Sequence, residues 1–119
     1  MKEVNMSLQI NATEQIIKIA AITLTGRLDA FEAPALRKTC DAFIANEFSH
    51  FVFDLTDVAM LDSAGLAVLV SVLKRARLKN GDVRLVWPRE EAASRILKLT
   101  KFDQVFVSIE KSEIVPRGF

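Results

Sequence analysis

The 119-residue sequence predicts an α/β domain: a central mixed, mostly parallel sheet of four to five strands packed with helices. Two observations carry this. Segments of strand length alternate with segments of helical period, in the order strand, strand, helix, strand, helix, strand, helix, strand. Strands separated by helices need right-handed crossovers, which make them parallel. Half of the residues are hydrophobic, enough for one core, and 119 residues leave little room for a second. No linker, repeat or low-complexity segment divides the chain, so a single domain spans residues 1–119, with its core over about residues 6–109.

Met6, Leu8 and Ile10 alternate with polar residues and predict a first strand with one buried face. A polar link over residues 11–15 leads to a second strand over 16–24, apolar at nearly every position and so expected to be covered on both faces. The short link predicts an antiparallel hairpin, which makes the sheet mixed. Pro34 suits the first turn of a helix, and Leu36, Cys40, Phe43 and Ile44 form its apolar stripe. Residues 51–55 (FVFDL) read as a strand followed by a short loop. A second helix opens at Asp62-Ser63 and stops at Asn80-Gly81 in a left-handed turn. Residues 82–87 predict a strand ended by Pro88, 89–99 a third helix, and 105–109 an edge strand. Residues 110–119 are broken by Pro116 and predict no more than one helical turn.

Composition excludes several function classes. Sixteen Lys plus Arg against fifteen Asp plus Glu give +1, so no excess charge points to nucleic acid or a membrane surface. One Cys excludes an internal disulfide, and one His beside it argues against a protein zinc cage. No apolar run approaches the ~18 residues of a membrane span, and the first ten residues carry no signal-peptide core. The expectation is a cytoplasmic protein without cofactor or metal, monomeric by default. Four scattered glycines form no phosphate loop, and His50 lies before the strand 51–55, away from Ser63. Cys40, on a buried stripe, behaves as a small hydrophobe. A nucleophile–base pair is missing, and the chain is expected not to be an enzyme.

The informative stretch is residues 53–66, FDLTDVAMLDSAGL. A strand delivers Asp62 and Ser63 to a helix start, where unpaired backbone N–H groups and the helix dipole favour an anion. Two readings of Ser63 stand side by side. It caps the helix through its hydroxyl. Alternatively it accepts a phosphate, which helix amides hold and which adds about −1.5 to −2 charges near Asp62 and Asp29. The helix that follows is apolar around much of its circumference, with Ala64, Ala67, Val68 and Val72 beside the stripe Leu66, Leu69, Val70 and Leu73. Such a helix is either fully buried or docks a partner.

Residues 24–29 (LTGRLD), 53–55 (FDL), 60–66 (MLDSAGL) and 95–102 (RILKLTKF) are where the chain resembles the STAS domain, most closely bacterial anti-sigma factor antagonists, over roughly residues 8–109. The resemblance implies partner switching. The unphosphorylated antagonist binds an anti-sigma factor that is also an ATP-dependent serine kinase, and frees the sigma factor. Phosphorylation of the serine after the motif aspartate, here Ser63 after Asp62, switches it off, and a PP2C-type phosphatase restores it. Asp29, of the Gly-x-Leu-Asp loop, belongs to the implied partner surface with Asp62 and Ser63, and Gly65, Leu66 and Val68 are the expected helix contacts. Ala64 stands where many antagonists carry Ser or Thr. It also resembles STAS docking subunits of ABC-type phospholipid transporters, the alternative role, which has no phospho-switch.

Overall fold

A computed structural model describes residues 7–113. Four strands and four helices alternate: β1 (Ile19–Leu28), α1 (Ala33–Ala45), β2 (His50–Leu61), α2 (Ser63–Leu78), β3 (Asp82–Val86), α3 (Glu91–Leu99), the single turn α4 (Phe102–Val105) and β4 (Val107–Ile109). The sheet runs β1-β2-β3-β4, and all three pairings are parallel. The predicted α/β architecture holds.

The expected hairpin does not form among the described residues. Residues 8–18 lie outside any strand, and Leu8, Ile10 and Ile16 are largely exposed; Met6 falls outside the described residues. The second predicted strand therefore begins later, at Ile19, and becomes an edge of the sheet. Its exposed face carries Ala21, Thr23, Thr25 and Arg27 while Ile22 and Leu24 pack against the core. Near-continuous apolarity did not mean two covered faces, because alanine and threonine are indifferent to burial at an edge.

The core centres on β2, whose residues Phe51, Val52, Phe53 and Leu55 are almost wholly buried. Unbroken burial over five positions requires cover on both faces, which explains the run of apolar residues there. The strand continues through the predicted loop to Leu61, pairing with β1 across two register shifts, at Thr23/Thr25 and Gly26/Arg27. Gly26 has φ +102°, a backbone that side chains resist, and it sits at the second shift.

α2 answers the question its apolarity raised. Gly65, Leu66, Val68, Leu69, Val72, Leu73 and Ala76 are buried, so a broad stripe packs on the sheet and α1, and the helix is largely core. It ends as expected. Lys79 is the C-cap, Asn80 is left-handed at φ +62°, and the Gly81 N–H donates to the Ala76 carbonyl at 2.8 Å. A Cβ on Gly81 would lie 1.6 Å from the Ser49 carbonyl oxygen, so only glycine lets this turn pass the start of β2. Cys40 is fully buried on α1, and that burial pushes its thiol up to about 11.

Candidate functional site

The site is built where β1 and β2 leave the sheet. Their ladder ends on the pair Leu28↔Leu61, so Asp29 and Asp62 emerge side by side. The Asp62 N–H donates to the Leu28 carbonyl at 3.2 Å, which ties the two exits together.

Each aspartate then organises the chain after it. The Asp29 carboxylate accepts the N–H groups of Phe31 (3.0 Å) and Glu32 (3.1 Å), and its carbonyl accepts that of Ala33 (2.8 Å), which launches α1. Arg27 lies 3.7 Å from the other Asp29 oxygen. Asp62, in extended conformation, is the N-cap of α2: its Oδ1 accepts from Ala64 N at 2.9 Å and Gly65 N at 3.1 Å. Its Oδ2 accepts the N–H of Ala30 at 3.0 Å. One carboxylate thus caps a helix and pins the loop before another, 32 residues earlier.

Ser63 follows as the first residue of α2 and is exposed. Of the two sequence readings, the capping role has gone to Asp62. The expectation that free helix amides await a phosphate changes with it. Those of Ala64 and Gly65 are already taken by Asp62, so an added phosphate would compete with a carboxylate for them.

Three expected helix contacts turn inward. Gly65 is buried, and a Cβ there would lie 2.6 Å from both Cγ and the carbonyl oxygen of Leu28. Leu66 is 7 % and Val68 1 % exposed. These residues seat α2 in the core, and Leu66 also lines a surface groove with Ala67, Val70 and Phe102. What reaches the surface of this turn is Ser63, Ala67 and part of Ala64. A shallow groove of about 540 Å³ runs from there between α1 and α2, lined by Ala30, Ala33, Pro34 and Ala67 and edged by Arg37, Lys38 and Asp41.

Sequence reasoning missed Phe31, which is 91 % exposed in the loop between the two aspartates' hydrogen bonds. An aromatic residue inside a polar turn, off any helical stripe, was the available signal. Asp54, by contrast, is 3 % exposed and bonded to the N–H and hydroxyl of Thr56, with Lys111 at 3.8 Å; it braces the end of the buried part of β2. His50 opens β2 and Ser63 follows its end, roughly 40 Å apart at about 3.3 Å rise per residue. They cannot form a nucleophile–base pair.

The result is a four-stranded parallel α/β domain that presents one exposed serine on a carboxylate-capped helix start. The chain belongs to the STAS domain family: the family model described as STAS domain matches residues 9–114. Among curated proteins it is similar to the anti-sigma-B factor antagonist of Bacillus subtilis, 26% identical over 95 residues and covering 80% of each chain. The anti-sigma-B factor antagonist of Listeria monocytogenes is 29% identical over 80 residues, 67% of this chain and 70% of the relative. Among solved structures, a putative anti-sigma factor antagonist from Thermotoga maritima superposes with a TM-score of 0.72 at 28% identity, covering 80% of this chain and 82% of the other. These relatives carry the name of regulatory binding proteins. No described helix is long and apolar enough to cross a membrane, and the described residues hold no cluster of three His, Cys, Asp or Glu suited to a metal.

Proposed function

We propose that this protein is an anti-sigma factor antagonist whose binding is switched at Ser63. In the unphosphorylated state the face formed by Asp29, Asp62 and Ser63 docks on a cytoplasmic anti-sigma factor that is also a serine kinase, and the sigma factor is released. A PP2C-type phosphatase reverses the modification. The observation that carries this reading is the division of labour at the start of α2: Asp62 makes the cap and leaves the Ser63 side chain exposed for modification.

The same geometry supplies a mechanism for release. A phosphate at Ser63 brings about −1.5 to −2 charges beside the Asp62 carboxylate. Like charges at this spacing repel, and both compete for the Ala64 and Gly65 N–H groups. Moving the Asp62 side chain also loosens its bond to Ala30 N, so the Asp29 loop is perturbed with it. Charge and loop position change together on one face.

The test is binding of a purified anti-sigma factor kinase from the same genome, with phosphate mapped by mass spectrometry. Wild type binds and is phosphorylated on Ser63, Ser63→Ala binds without being switched, and Ser63→Asp binds at least tenfold more weakly. Equal binding by all three proteins refutes the switch. Co-purification with an ABC-type ATPase, with Ser63 never modified, would establish the transporter docking role instead.

A further inference from the structure

We propose that Phe31 is the apolar anchor of this docking face, a side chain that inserts into a pocket of the same anti-sigma factor that meets Ser63. The inference rests on the functional reading above and adds to it a residue and the chemistry of the matching site.

Phe31 stands apart from the other described phenylalanines. Phe51, Phe53 and Phe106 are buried, and Phe43, Phe48 and Phe102 are partly buried against the core, whereas Phe31 is 91 % exposed. Among the described residues no aromatic pair or cation contact uses its ring. A benzyl group left in water is apolar surface that docking can bury.

The backbone that carries the ring is also held in place. Its own N–H and that of Glu32 are fixed by the Asp29 carboxylate, and the N–H of Ala30 by Asp62. α1 begins two residues later, at Ala33. A backbone clamped from both sides loses little freedom on binding, which is the property of an aromatic hot spot. Because Asp62 holds Ala30 through Oδ2 and caps α2 through Oδ1, the knob is coupled to the residue before Ser63. Anchor and switch are therefore parts of one surface.

The surroundings define the partner's chemistry. Exposed Glu32 and the Asp29 carboxylate flank the knob, while Arg37, Lys38 and Asp41 edge the groove running away from it along α1. Asp41 is already paired with Arg75 at 2.8 Å, which leaves the two basic groups to set the sign of the charge there. Alanines and Pro34 floor that groove and let another backbone approach closely. The complementary surface is an apolar pocket bordered by N–H or basic donors, followed by acidic side chains along the α1 side.

The experiment measures affinity for the purified anti-sigma factor kinase that phosphorylates Ser63. Phe31→Ala is expected to weaken binding at least thirtyfold and Phe31→Leu several-fold, with thermal midpoints within about 2 °C of wild type, the range expected of a surface change. In a Trp87→Phe background, the indole emission of a Phe31→Trp variant should shift to the blue on adding the kinase, since the ring leaves water. Binding within threefold of wild type by Phe31→Ala, or an unshifted indole emission from the Phe31→Trp variant in the formed complex, overturns the anchor and leaves the Ser63 switch standing. Failure of the wild type itself to bind any such kinase overturns both. Self-association of the wild type that Phe31→Ala abolishes assigns the ring to a second copy of the chain and overturns the proposal.

Discussion

Replacing Gly65 with alanine separates packing from recognition at the start of α2. The added Cβ would lie 2.6 Å from the Leu28 carbonyl oxygen, where ordinary contact begins at 3.4 Å. The Leu28 side chain can rotate away, but its carbonyl cannot, because it belongs to the β1 exit and accepts the Asp62 N–H. The helix start must retreat by about 0.8 Å, stretching that 3.2 Å hydrogen bond and the cap behind it. Overpacking costs about 1–3 kcal/mol, and a backbone carbonyl that cannot yield puts this case in the upper half, about 2–3 kcal/mol, against which alanine recovers about 1 kcal/mol of helix propensity. The expected net loss is about 1–2 kcal/mol, a fall in melting midpoint of roughly 4–10 °C for a domain of this size. Thermal and urea denaturation followed by circular dichroism read it directly. A Gly65→Ala protein as stable as wild type, yet impaired in partner binding, would refute the packing argument and restore Gly65 as a contact.

Asp62→Ala removes the α2 cap and the tie to Ala30 together, and should cost about 1–2 kcal/mol in urea unfolding; a change under about 0.3 kcal/mol would show that neither bond stabilises the fold. Burial raises the Cys40 thiol from 9.0 to about 11, so the folded state holds its proton more tightly than the unfolded one. Stability from this group is fully present below pH 9.0 and is lost as pH rises towards 11; Cys40→Ala should flatten that part of the stability–pH curve, and an unchanged slope would assign it to other groups. A chain shortened to begin at Lys18 should unfold within about 0.5 kcal/mol of the full chain, because Leu8, Ile10 and Ile16 are exposed; a loss above about 1 kcal/mol would reveal the hairpin the strand pattern predicts.

The alternation of strand-like and helix-like segments determined the α/β class, the order of the elements from β1 onwards and both ends of α2. These follow from side-chain period, capping residues and the Asn80-Gly81 stop, all local properties of the chain. The candidate site was legible to the same extent. Asp62 and Ser63 stand out because an acidic residue and a serine at a helix start have a chemistry of their own, whatever lies around them, whereas the place of Asp29 on the partner surface came only with the family resemblance.

What the local pattern could not contain was which neighbour each residue meets. Periodicity assigns a helix an apolar stripe but not its width, and the burial of Gly65 and Val68 beside the Leu66 stripe follows only from α2 packing on the sheet and α1. The division of labour between Asp62 and Ser63 depended on the Ala30 N–H, 32 residues away, drawing the carboxylate into its bridging position. Leu8 and Ile10 have a strand's alternation, and Ile16 and Ile17 a strand's apolarity, without strand pairing, because a strand exists only where a neighbour takes up its backbone hydrogen bonds. Phe31 is hydrophobic by composition and exposed by position: only the tertiary structure decided that the core closes without it.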